Sequence, residues 1–331
     1  MKEKVLNTIK KYNLIENGDK IVLGVSGGPD SICMLNILND IKNDETINLK
    51  YEIIVAHINH LIRKEAKEDE NYVKDFCEKI GVQFYSKSID VQKIANNNKI
   101  GTEEAGRNVR YEFFDEIVAK INANKIAIAH NKNDKIETII MNVLRGSGIS
   151  GLKGIEPIKN AKYIRPLIEC ERFEIEQYCK DNNIEARIDK TNSENIYTRN
   201  KIRNIVIPYI KQEFNPNIIQ TIDRLSNLVK EEENYLENVI KIKYKELIIE
   251  ENEKELVMDL KGFNKEEKVI KSRLLLYTIL RLLGTKKGIE KIHIEDIIKL
   301  CENNIGNKYL TPNKNIKILV KNHKIYFINQ I

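Results

Sequence analysis

Lys20-Ile-Val-Leu-Gly-Val25 is a short apolar run without alternation, and a glycine pair follows it at once. Behind the pair, Ser31 to Leu38 has the spacing of a helix. A strand buried on both faces, a tight loop and a helix form the opening of an α/β unit. The pattern repeats downstream. Tyr51 to His57 reads as a strand and Ala66 to Ile80 as an amphipathic helix ended by Gly81. Val82 to Tyr85 predicts a strand, Thr102 to Ala119 a helix, Lys125 to His130 a strand, and Asp134 to Leu144 a helix stopped at Arg145-Gly146. Strands alternating with helices of this length predict an α/β fold with a mainly parallel sheet flanked by helices.

In such sheets ligands bind beyond the carboxyl ends of the strands. The polar residues following three of the predicted strands are Ser26 to Ser31, His57 to Arg63 and His130 to Glu137, which should converge on one edge. After Gly154 the pattern changes to a short extended segment at Tyr163 to Leu167, a helix at Arg172 to Asp181 and a helical stretch at Lys201 to Ile210 interrupted by Pro208. A long periodic segment then suggests a connecting helix over 216–245. The remainder, 246–331, reads as a smaller α+β domain, with helices at Lys268 to Leu283 and His293 to Cys301 and strands near Glu255, Ile316 and Lys324.

Composition narrows the class. The chain has 331 residues, enough for two domains, and its 41% hydrophobic and 31% charged content excludes a mostly disordered protein. No run is apolar enough for a membrane span, and the opening segment lacks a signal-peptide core, so a cytoplasmic address is expected. The five cysteines, at 33, 77, 170, 179 and 301, are too scattered for a disulfide framework or a zinc site. A net charge of +6 is a weak pointer to an anionic partner.

The loop Ser26-Gly27-Gly28-Pro29-Asp30-Ser31 carries the clearest chemistry. Gly27 and Gly28 let the backbone turn so that several N–H groups face phosphate oxygens, and the helix that follows adds its dipole. Ser26 and Ser31 offer hydroxyl donors. Asp30 alone would repel phosphate; it fits such a loop by holding Mg²⁺ between itself and the phosphates. No lysine and no third spaced glycine follow, which argues against the common triphosphatase and dinucleotide loops.

Asp134 and Glu137 lie three apart near a helix start and share one face. They either bind cationic groups, share Mg²⁺ with Asp30, or merely support a surface helix. Arg107 and Arg110 share a helix with Glu103 and Glu104, where a Glu103–Arg107 surface pair is the plain alternative to ligand contact. Arg199 and Arg203, one turn apart, suit phosphates of ATP or of a nucleic acid. Basic residues 159, 162, 165, 172 and 201 to 203, with Lys286, Lys287, Lys291, Lys314, Lys317 and Lys321, could form a discontinuous tract for nucleic-acid phosphates, or only a lysine-biased surface.

Ser26-Gly-Gly-Pro-Asp-Ser31 resembles the signature of the N-type ATP pyrophosphatases. His57-Ile-Asn-His60 with Arg63, Gly101 to Arg107 with Arg110, His130 with Asp134 and Glu137, Leu144 to Gly148, Arg165-Pro-Leu167, Asp189 to Asn192, and Tyr197 to Arg203 narrow the resemblance to the tRNA(Ile)-lysidine synthetase family. The motifs cover about residues 20 to 216. The resemblance implies an adenine nucleotide alpha-hydrolase-like catalytic domain over 1–215 and a small tRNA-binding domain over 246–331. It implies ATP and Mg²⁺ as cofactors, and free L-lysine and the CAU-anticodon tRNA(Ile) as partners. ATP would be cleaved between its α and β phosphates to adenylate the wobble cytidine, and lysine would then displace AMP.

For the residues, the resemblance implies a catalytic group of Asp30, Asp134, Glu137 and Arg110. The nucleotide would be held by Ser26, Gly27, Gly28, Asp30, Ser31, His57, His130, Arg199 and Arg203, and the other substrates by Glu104, Arg107, Arg110, Asp134, Glu137 and Arg145. Asp30 and Asp134 would hold the metal. Where relatives usually carry His-His-Ala-Asp-Asp, this chain has His130-Asn131-Lys132-Asn133-Asp134, which weakens any role assigned to the second histidine and the first acid. A tRNA thiolase is the nearest rival, and the lack of a Cys-x-x-Cys pair counts against it. A nucleotide- or RNA-binding module without turnover would be told apart by failing to form pyrophosphate. A twofold homodimer is the expectation from general frequency.

Overall fold

A computed structural model describes residues 1–61, 66–187, 197–303 and 308–330. The chain divides into two compact units, Met1–Val229 and Lys230–Ile331.

The first unit is built on β1 (Lys20–Gly24), β2 (Glu52–Asn59), β3 (Gln83–Ser88), β4 (Lys125–Ile128), β5 (Ile158–Lys159) and β6 (Tyr163–Ile164). These form one sheet in the order β3-β2-β1-β4-β6-β5, parallel except for the β5–β6 pair. The central strand shows why its apolar run does not alternate. Ile21 and Leu23 enter one buried cluster with the helices α1 (Lys2–Tyr12), α2 (Pro29–Lys42), α3 (Ala66–Ile80) and α7 (Arg172–Asp181), whereas Val22 packs on Phe113, Phe114 and Ile117 on the other face. Those aromatic residues belong to α5 (Thr102–Ile121), which follows the short α4 (Val91–Asn98). Gly24 makes room for them, since a Cβ there would fall 2.5 Å from Phe114 Cζ.

α6 (Lys132–Leu144) follows β4, and a 3₁₀ turn at Ile149–Lys153 leads into β5. Further on, α8 (Thr198–Lys201), a π-helical turn at Ile202–Val206 and α9 (Ile207–Glu213) form one helical run. Pro208 interrupts the regular α-helix without ending the run: the wider π turn at Ile202–Val206 lies directly before it and takes up the change in hydrogen bonding. α10 (Ile218–Leu247) contains the division between the two units.

The second unit has an antiparallel sheet in the order β7-β8-β11-β10-β9, formed by β7 (Ile248–Glu251), β8 (Glu255–Asp259), β9 (Lys308–Asn313), β10 (Ile316–Lys321) and β11 (Lys324–Asn329). α11 (Leu260–Lys265), α12 (Lys268–Leu283) and α13 (Lys291–Glu302) cover it, with Phe263, Leu274, Ile318 and Phe327 fully buried between. No helix among the described residues is long and apolar enough to cross a membrane.

Candidate active site

The loop between β1 and α2 is held by its own serines. The Ser31 hydroxyl donates to the Gly28 carbonyl at 2.9 Å and accepts the Ser26 N–H at 3.1 Å, while the two hydroxyl oxygens lie 3.2 Å apart. Gly27 has φ +94°, a conformation that side chains resist, and Gly28 is the N-cap of α2 with Pro29 in its first turn. Its amides and the helix terminus suit an anion.

Asp30, in the first turn of α2, receives the Asn131 amide at 3.1 Å. The same Asn131 caps α6: its Oδ1 accepts the Asp134 N–H at 3.0 Å, and Asp134 Oδ2 accepts the Asn131 N–H at 3.0 Å. One side chain thus joins the loop carboxylate to the helix bearing Asp134 and Glu137. Burial, and then the negative charge of Asp134, push the Asp30 carboxyl up to about 6, against the pull of Arg172 and Arg203.

Both α6 carboxylates are buried and saturated by arginines. Arg203 Nε and Nη2 donate to the two oxygens of Glu137 at 2.7 and 2.8 Å, and Arg199 Nε reaches Glu137 Oε2 at 2.9 Å. Arg203 also meets Asp134 Oδ1 at 3.1 Å, and Arg172 lies within 3.5 Å of Asp134 and 3.7 Å of Glu137. Burial alone would lower the Arg203 pKa; Glu137 and Asp134 outweigh it and hold the group raised. Three carboxylates, Asp30, Asp134 and Glu137, are therefore matched by Arg172, Arg199 and Arg203. The neighbouring part of the site is not matched. There His130 lies among Arg165, Arg199, Arg107 and Arg110, and burial, followed by those charges, pulls its imidazole down to about 3. No carboxylate among the described residues is within ion-pair distance of Arg107, Arg110 or Arg165.

The remaining expected residues divide. His57 is 2% exposed, with Nδ1 2.8 Å from the Val25 carbonyl, and so ties β2 to the end of β1; burial lowers its pKa. Arg107 lies over the Tyr111 ring and donates to its hydroxyl at 3.1 Å, and the alternative surface pair with Glu103 is not formed among the described residues. Arg110 keeps access to solvent but is crowded by protein, which lowers its pKa. Glu104 is exposed on α5, and Arg145 is exposed at the end of α6. Arg63 and the Asp189 to Asn192 stretch lie outside the described residues.

A surface tract including 165, 172 and 203 needs correction. Arg165 is 4% exposed, and Arg172 and Arg203 turn toward Asp134 and Glu137, because buried carboxylates require partners. Arg172 as a neighbour of those carboxylates, Asn131 as a bridge and Arg165 beside His130 were not legible from motif spacing; only the helix start at Arg172 and the Arg165-Pro-Leu167 motif hinted at them.

For a divalent cation, no group of three or more His, Cys, Asp or Glu side chains occurs among the described residues. Mg²⁺ needs only one or two protein carboxylates when phosphates and water complete its shell. The half-buried Asp30 carboxyl, raised beside Asp134, is a donor that a cation would relieve, so the residues fit.

A phosphate-binding loop at the carboxyl edge of a parallel sheet, with carboxylates and arginines facing it, defines a PP-loop nucleotide-using protein, and the PP-loop domain family matches residues 1–210. The tRNA(Ile)-lysidine synthase of Clostridioides difficile is 46% identical over 99% of this chain and 70% of its own length. That of Clostridium acetobutylicum is 47% identical over 93% of this chain and 66% of its own. This chain belongs to the tRNA(Ile)-lysidine synthase family, which are ATP-dependent ligases. It spans about two thirds of the length of these curated relatives. A U34-tRNA thiolase from Methanococcus maripaludis, solved with its [4Fe-4S] cluster, shares the fold at a TM-score of 0.55 and 18% identity, over 68% of this chain and 78% of that one.

Proposed function

We propose that this chain ligates L-lysine to C2 of the wobble cytidine of the CAU-anticodon tRNA(Ile). The O2 of the base attacks the α phosphorus of ATP and pyrophosphate leaves; the ε-amine of lysine then attacks C2 and AMP leaves. The observation that carries this reading is the link, through Asn131, between the phosphate loop at Asp30 and the buried carboxylates Asp134 and Glu137.

Ser26, Ser31 and the Gly27–Gly28 backbone bind the phosphates. Mg²⁺ held by Asp30 and Asp134 would neutralise charge on the departing pyrophosphate. Arg110 and Arg107, without carboxylate partners among the described residues, take an anion, either phosphate or the lysine carboxylate. Asp134 and Glu137 receive lysine's ammonium groups, and Glu137 accepts the proton that the ε-amine must lose to become a nucleophile. For that, Arg199 and Arg203 must leave Glu137. Phosphate oxygens offer them an alternative partner, so nucleotide binding prepares the lysine site.

The test incubates the protein with Mg-ATP, lysine and CAU-anticodon tRNA(Ile), then measures pyrophosphate and the mass of the modified base. A lysine adduct with tRNA-dependent pyrophosphate supports the reading. Folded protein giving neither overturns it.

A further inference from the structure

His130 follows β4 and Arg165 follows β6, and these two strands pair in parallel with Ala127 opposite Ile164. Their ends bring Arg165 Nε to 3.2 Å from His130 Nδ1. A guanidinium has no acceptor, so its N–H must donate and Nδ1 must hold a lone pair. A neutral imidazole in that arrangement carries its proton on Nε2.

The guanidinium is fixed at its other end too. Arg165 Nη1 donates to the Glu156 carbonyl, its backbone N–H donates to Pro157 O at 2.9 Å, and the residue is 4% exposed. It makes no ion pair among the described residues, and the Glu156 charge offsets it only in part. The other charges facing that ring are Arg199 from α8 and Arg107 and Arg110 from α5. All four are cations.

We propose that Arg165 is a positioning residue that fixes His130 as a neutral Nε2–H donor toward an anionic oxygen of the adenylation step. This rests on the ATP-dependent reading above. A protonated histidine would bind an anion more tightly but would repel the arginines that share the pocket. The neutral donor keeps one hydrogen bond to offer, unchanged across the working pH range.

The test uses the full chain labelled with ¹⁵N-histidine, whose five histidines permit assignment by comparison with His130→Gln. Long-range ¹H–¹⁵N correlation between pH 5 and 8 should show His130 as the Nε2–H tautomer without titration. Arg165→Met should move the His130 titration upward, short of the ordinary histidine value because burial and three arginines remain, let the Nδ1–H tautomer appear, and lower tRNA-dependent pyrophosphate release at least about tenfold. Arg165→Lys should restore these in part. If Arg165→Met does not fold, the wild-type tautomer still decides. An Nδ1–H tautomer, a wild-type His130 that titrates near pH 6.5, or an Arg165→Met protein with unchanged tautomer and pH profile would overturn the proposal. Wild-type protein with the expected tautomer but no pyrophosphate would overturn the ligase reading and the histidine's role in it, leaving only the Arg165–His130 arrangement.

Discussion

Arg203 grips Glu137 on both carboxylate oxygens, at 2.7 and 2.8 Å, in a position where Glu137 is only 1% exposed. Removing one partner strands a buried charge. Arg203→Met should therefore cost about 3–5 kcal/mol, and Glu137→Gln/Arg203→Met much less than the sum of its single changes. Urea unfolding of the four proteins reads this out, and additive losses would refute a tight pair.

Because Arg199 and Arg203 occupy the groups assigned to lysine, nucleotide and lysine should bind cooperatively. Calorimetry with Mg²⁺ and a non-hydrolysable ATP analogue should show lysine affinity rising about tenfold over the nucleotide-free protein, and lysine should raise analogue affinity by the same factor. Equal lysine affinities with and without the analogue would sink the exchange.

Asp30 titrates above its ordinary value, at about 6 against 3.8. The native state thus binds a proton more readily than the unfolded chain. This contribution is fully present below about pH 3.8 and is lost as pH rises through 6, so an ionised Asp30 costs about 3 kcal/mol. Asp30→Asn should be more stable than wild type at pH 8 by up to that amount, with the gap closing toward pH 4, while pyrophosphate release falls about a hundredfold or more. Equal stability at pH 8 would contradict the strain placed on this carboxylate.

Gly27, at φ +94°, should not tolerate a side chain. Its Cβ would stand 3.4 Å from Val73, so space is tight but not closed, and the backbone conformation is the larger obstacle. Gly27→Ala should lower stability by about 1–2 kcal/mol and weaken ATP binding more than it alters the rest of the fold. Nucleotide titration together with thermal melting checks this.

Much of the first unit was legible because burial dictates pattern. The helix at Ala66–Ile80 and the start of β1 at Lys20 fall where the apolar spacing put them. α1 and α4 carry too weak a pattern to be read: α1 is lysine-rich, with only Val5, Thr8 and Ile9 buried, and α4 spans eight residues. At the candidate site, motifs single out Asp30, Asp134, Glu137, Arg199 and Arg203 but not their pairing. A sequence shows charge without direction, so a match of Arg199 and Arg203 to phosphates does not reveal the carboxylates they meet. A separation of 62 residues hides the contact between Glu137 and Arg199. His57 shows another limit: a polar residue at a strand end reads as facing ligand, and the pattern does not reveal that its Nδ1 is engaged with the Val25 carbonyl inside the sheet.

The bridge at Asn131 is an amide with an acceptor at one end and a donor at the other, and the site uses each once. Its Oδ1 meets the Asp134 N–H and its Nδ2 meets Asp30. Turning the amide over would set oxygen against carboxylate and N–H against N–H, so the side chain can be read in one sense only. An aspartate at 131 could still cap the helix but would confront Asp30 with like charge. An alanine would let the two halves of the site drift apart. The asparagine therefore works as a keyed coupling: a displacement of Asp30 pulls on the residue that caps the first turn of α6, so loop and helix cannot shift independently.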